Sequence, residues 1–132
     1  MIKVYPAIFK KEIDDYEETK DYYLIEFPDL YGVTQGKDIT DGMEMASDYL
    51  GIILSDYIEN GEELPEPSEI KDIKTDENSF VTLVSVDLND YIKETKFDRT
   101  TITLPHYLKT RADKMGINYS KTLAEMLEEL VF

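Results

Sequence analysis

The sequence has no cysteine. Disulfides and thiolate metal sites are therefore excluded, which fits a reducing compartment. It has one histidine, His106, so neither a Ser-His-Asp nor a Cys-His set is available in a plausible arrangement. No stretch approaches the roughly 20 apolar residues of a membrane span. The amino terminus, MIKVYPAIFKKEIDD, lacks the positively charged start and long apolar run of a signal peptide. These absences place the chain in the cytoplasm by default. There is also no Gly-rich phosphate loop ending in Lys-Ser/Thr. Positive charge is scarce: 14 Lys and Arg stand against 29 Asp and Glu, a net of −15. Such a balance argues against nucleic acid until its distribution is considered. Residues 1–90 hold 7 cations and 23 acids, whereas residues 91–132 hold 7 and 6. All the excess acid belongs to the first part, which suggests two functions on one chain.

What is present is enough for a packed core, with 42% apolar residues over 132 positions. Residues 2–9 (IKVYPAIF) predict a strand, which Pro6 demotes to an edge or bulge position. The run KKEIDDYEETKD predicts a charged hairpin loop, and residues 22–27 (YYLIEF) a second strand. A third strand is expected near 32–36, after a turn at Gly32. A helix follows over 39–59, capped by Asp38, with Asp41 in its first turn. Its apolar stripe is Met43, Ala46, Leu50, Ile53, Leu54, Tyr57 and Ile58. Gly42 and Gly51 weaken it by roughly 1 kcal/mol each against Ala. Asn60-Gly61 ends it, a polar loop carrying prolines follows, and residues 79–88 (SFVTLVSVDL) predict a fourth strand. Residues 89–95 read as a linker. The first domain, 1–92, is thus expected to be a small α+β layer of βββαβ order.

Residues 96–132 form the second expected domain. In FDRTTITLP one face carries Asp98, Thr100, Ile102 and Leu104, and Ile102 and Leu104 mark it as buried. The opposite face carries Phe97, Arg99, Thr101 and Thr103. Pro105 opens a helix with a Leu108, Ala112, Met115 stripe, and Gly116 sits where a left-handed cap belongs. Asn118 or Ser120 caps a second helix with apolar Leu123, Met126, Leu127 and Leu130. So short a piece cannot bury a core alone, and a lone strand leaves its backbone unpaired. Two intertwined copies solve both problems. Their paired strands make a ribbon that fits the major groove of DNA. A pairing strand used only for dimerisation, and a helix-turn-helix, are the rival readings. In the latter the recognition helix presents Glu125, Glu128 and Glu129 toward phosphates, which disfavours it.

The order RTTITLP, helix, GINYS, helix resembles the ribbon-helix-helix family, with Thr100 departing from its usual inward aliphatic residue. The resemblance implies base contacts from Arg99, Thr101 and Thr103, and phosphate contacts from Lys96, Asn118, Tyr119, Ser120 and Lys121. Ahead of it, YPAIF, YYLIEFPDLYGVTQG, ITDGMEMASDYL and GEELPEPS resemble HicB-type antitoxins of bacterial toxin–antitoxin pairs. Tyr31 stands where that family commonly has proline, and Gly42 where it has alanine. The resemblance implies a partial ribonuclease-H-like domain without activity, bound to a HicA-type toxin, a small basic mRNA-cleaving ribonuclease. It also implies an operator-binding homodimer that represses its own operon, with higher assembly left open. Exposed acids Asp14, Asp15, Glu17, Glu18 and Asp29 are the candidates for toxin contact. A metal nuclease needs several carboxylates converging from strand ends, and only Glu26 sits within a strand pattern. No catalytic residue, metal or cofactor is expected. The alternative is a ribbon-helix-helix regulator whose first domain senses a ligand or mediates assembly.

Overall fold

The computed structural model describes residues 1–13, 21–93 and 96–132. Its contacts divide the chain into two units, Met1–Ile92 and Lys93–Phe132.

Unit 1 is a mixed α+β layer. Strands β1 (Ile2–Ile13), β2 (Asp21–Glu26), β3 (Val33–Gly36) and β4 (Ser79–Asp87) form one sheet in the order β3-β2-β1-β4. Every pairing is antiparallel. Helix α1 (Ile39–Glu59) packs on one face. Alternation selects that face: Tyr5, Ala7 and Phe9 of β1, Ile25 of β2, and Val84 and Val86 of β4 are buried. From α1 they meet Ala46, Leu50 and Leu54, spaced by four on one helical stripe. Met43, Ile53, Tyr57 and Ile58 flank this core half-buried, as the helical spacing predicts.

The predicted elements recur with changed edges. β1 continues to Ile13, through residues expected in the hairpin loop, because Lys11, Glu12 and Ile13 pair with Tyr23, Tyr22 and Asp21. Pro6 lies in a strand with neighbours on both sides, yet its own stretch pairs with β4 alone, since β2 pairs only from Ile8 onward. The proline therefore sits at a local edge. Asp38 caps α1 by accepting from the Asp41 N–H at 2.7 Å, and Asp41 accepts from the Lys37 N–H at 2.9 Å. The first bond satisfies a donor that the helix start leaves open, and the second ties the residue before the cap to the first turn. Gly36 is required by close approach, because a Cβ there meets the Gly42 backbone at 2.3 Å.

Residues 62–78 return the chain from the end of α1 to the end of β1 where Ser79 pairs with Lys10. An antiparallel β4 needs such a return, which accounts for the long polar loop. Two side chains pin it: the Tyr5 hydroxyl donates to the Pro65 carbonyl at 2.5 Å, and Asp29 accepts from Ser68. Residues 89–92 are not linker. Leu88 is buried in a 3-10 turn, Tyr91 and Ile92 pack on the core, and the Tyr91 hydroxyl donates to Asp48 at 2.8 Å.

Unit 2 holds α2 (His106–Lys114) and α3 (Tyr119–Val131). Gly116 between them has φ +68°, the left-handed turn read from the sequence. Asn118 caps α3 by accepting from the Lys121 N–H. The strand expected over 97–105 is not formed in the single chain. A strand exists by pairing its backbone, and no described residue pairs with this segment. No helix among the described residues is long and apolar enough to cross a membrane.

Candidate functional site

None of the described residues of unit 2 is buried. Phe97 is 92% exposed and Leu130 is 79% exposed, with Leu108, Met115, Met126, Leu127 and Val131 also on the surface. This stripe has no counterpart within its own unit. Ile102 and Leu104 line one small hollow with Lys109 and Tyr119, yet neither is buried in the single chain and Ile102 is 45% exposed. Arg99, Thr101 and Thr103 alternate with them and are exposed. Lys96, Ser120 and Lys121 are exposed as well.

The elbow between α2 and α3 is held by a small polar cluster. Asp113 accepts from the Lys109 ammonium at 2.8 Å and from the Tyr119 hydroxyl, which also reaches the Lys109 carbonyl at 3.3 Å. Lys109 and then Tyr119 hold the Asp113 carboxyl below the usual carboxylate range. The same hydrogen bond to Asp113 raises the Tyr119 phenol above its ordinary value. Asn118 spends its side-chain oxygen on the Lys121 N–H. Two of the residues implied as phosphate contacts therefore also shape the turn that would present them.

In unit 1, Asp14, Asp15, Glu17 and Glu18 lie outside the described residues. Asp29 accepts from the Ser68 N–H at 2.8 Å and from its hydroxyl at 2.5 Å, so both carboxylate oxygens fasten the return loop. Sequence reasoning missed this clasp, as well as Tyr49, whose hydroxyl donates to the Tyr31 carbonyl and whose ring stacks on Phe27. Neither pairing has a local signal, since the partners lie 39 and 18 residues apart. Glu26 opens on the sheet face away from α1, between its register neighbours Ile8 and Val33. His106 is exposed at the start of α2, near the Thr110 hydroxyl at 3.5 Å. Among the described residues no three His, Cys, Asp or Glu side chains are grouped to hold a metal.

Comparison with known proteins places this architecture. The family model described as HicB_like antitoxin of bacterial toxin-antitoxin system matches residues 5–131. A chain of a toxin–antitoxin complex from Streptococcus pneumoniae is similar at 33% identity and a TM-score of 0.63, over 98% of this chain and 99% of that one. The antitoxin HicB of Burkholderia pseudomallei shares the fold at 22% identity and a TM-score of 0.57, with the same coverage. No curated protein matches the sequence closely. With a match spanning both units, the chain belongs to the HicB-like antitoxin family of bacterial toxin–antitoxin systems.

Proposed function

We propose that the two units divide the work of this antitoxin. Unit 1 covers the active site of a HicA-type toxin, a small basic ribonuclease that cleaves mRNA. Unit 2 dimerises, pairs its 97–105 segments into a ribbon, and binds the operator of its own operon to repress it. The protein acts in the cytoplasm, catalyses nothing itself and needs no cofactor.

The observation that carries this reading is the bare unit 2. Exposed apolar side chains on a unit of this size are stable only when covered, and a second copy covers them symmetrically. Pairing of two 97–105 segments then turns Arg99, Thr101 and Thr103 outward together. An arginine forks onto guanine, and threonine touches a thymine methyl or accepts and donates hydrogen bonds. For unit 1 the support is charge. Residues 1–90 carry a net of −16, which attracts a basic RNA-binding protein and competes with its RNA.

Co-expression with the product of the adjacent open reading frame tests the first half. A small basic protein that co-purifies, and whose RNA cleavage stops in the complex, supports it. If no such neighbour exists, the alternative of a regulator with a sensing or assembly domain takes its place. For the second half, Arg99→Ala is expected to cost roughly 1–3 kcal/mol of operator affinity while the dimer persists. Unchanged specific binding rules out the ribbon as reader. RNA incubated with the pure protein and Mg²⁺ is expected to remain intact.

A further inference from the structure

The loop between β2 and β3 is held at three points. The Leu30 N–H donates to the Phe27 carbonyl at 3.1 Å, closing a tight turn. Asp29 is fastened to Ser68, and the Tyr31 carbonyl accepts from the Tyr49 hydroxyl behind it. Gly32, at φ +88°, leaves the space that the Tyr49 hydroxyl fills, since a Cβ there meets that oxygen. Yet the loop directs the Tyr31 ring into solvent, where it is 87% exposed. A side chain so exposed on so constrained a backbone is an anchor prepared before its partner arrives.

Beside it runs a shallow groove, lined by Ile8, Glu26, Pro28, Tyr31 and Val33 over buried Phe27 and Leu30. Glu26 is its only charge. Ile8, Glu26 and Val33 form one row across three strands on the face that α1 leaves uncovered. No cation or donor among the described residues pairs with the Glu26 carboxylate. A lone carboxylate among apolar walls, next to an exposed aromatic face, suits one kind of group. An arginine or lysine lays its aliphatic stem along apolar surface, sets its cation on the aromatic ring and ends at a carboxylate.

We propose that this groove is the docking site for a basic side chain of the toxin, with Glu26 as its carboxylate and Tyr31 as its stacking face. This rests on the reading of unit 1 as the toxin-binding half. The occupant is a basic protein rather than a second copy, because a second copy brings the same −16 surface. Asp29 and Tyr49 are positioning residues: they hold the loop and do not meet the partner.

Two measurements test this separately from the proposed function. The first titrates the full chain with acetyl-arginine amide and follows its methyl and aromatic NMR signals. Shifts centred on Ile8, Val33 and Tyr31, and lost in Glu26→Gln, are expected. Shifts spread evenly over the acidic surface overturn the groove, whether or not any toxin binds. The second measures affinity for the basic product of the adjacent reading frame. Glu26→Gln and Tyr31→Ala are each expected to weaken it about tenfold, and Glu26→Lys about a hundredfold. Tyr49→Phe is expected to weaken it less, and Glu63→Gln, an exposed acid elsewhere, to leave it within about twofold. Unchanged affinity in Glu26→Lys, with the thermal midpoint also unchanged, overturns the docking site and leaves the antitoxin reading intact. A change of oligomeric mass in Glu26→Lys, with toxin affinity preserved, assigns the groove to a second copy instead.

Discussion

Among the described residues, unit 1 buries twelve hydrophobic side chains around its sheet and helix, and unit 2 buries none. One chain thus carries two kinds of stability. The first is internal: side chains of β1, β4 and α1 remove one another from water. The second is conditional, because the apolar stripes of α2 and α3 leave water only against something else. An antitoxin gains from this division. In the proposed division, the toxin-binding part keeps its shape at any concentration, whereas the DNA-binding part forms only when enough copies are present.

The largest expected effect separates the units outright. Ile102→Asp places a charge in the hollow shared with Leu104 and Tyr119. It is expected to abolish the dimer by sedimentation and lower operator affinity more than about a hundredfold. The urea midpoint of unit 1 should not move. If unit 1 unfolds together with it, the comparison fails.

The reverse test is Leu50→Ala in the middle of α1. A fully buried leucine lost from a packed core costs about 2–5 kcal/mol, read from urea unfolding. Operator binding by the intact unit 2 should persist below the new midpoint.

Most of unit 1 was legible from periodicity alone. The strands themselves and the helical stripe with Ala46, Leu50 and Leu54 were read from the pattern, whereas IKVYPAIF is apolar on both faces and only the packing shows that Tyr5, Ala7 and Phe9 turn inward. Asp38, Gly61 and Gly116 were legible because caps and left-handed turns are local chemistry. The ends of elements were not. Whether KKEI is strand depends on what lies opposite, and that is set by Asp21–Tyr23. Tyr91 looked like linker because its partners, Gly51 and Asp48, are some forty residues away. The same limit hid the Asp29 clasp and the clamp behind Tyr31. The strand at 97–105 has a clear alternating pattern but no partner in one chain, so its reading turns on a second molecule.

Gly51 sharpens the point about distant partners. Helix propensity predicts that Gly51→Ala stabilises α1 by roughly 1 kcal/mol. A Cβ there meets the Tyr91 ring at 2.4 Å, so overpacking of about 1–3 kcal/mol is expected to outweigh the gain. A lowered thermal midpoint is predicted, and a raised one shows that Tyr91 moves aside freely.

Tyr5→Phe removes the bond to the Pro65 carbonyl and is expected to cost about 1 kcal/mol. Burial, then the charges of Asp29 and Glu66, push the Tyr5 phenol up to about 12. Because its folded pKa exceeds the ordinary value of 10.0, its contribution is complete below pH 10 and is lost as pH rises toward 12. An ultraviolet titration should show Tyr5, Tyr91 and Tyr119 ionising late, and Tyr5→Phe should remove the share of that late rise that Tyr5 contributes.

The smallest effect lies in the elbow of unit 2. The Asp113 carboxyl is held below 3.8, so its contribution is present above that value and fades as pH falls through the lowered one. Amide signals of Gly116 and Ile117 should follow that titration, and Tyr119→Phe should shift it upward.

Hydrogen exchange of the full chain at a series of protein concentrations tests the division of stability most directly. Protection of Ala46 to Leu54 in α1 is predicted to stay constant, while protection in α2 and α3 rises with concentration. Protection in α2 and α3 that is strong and independent of concentration contradicts the account.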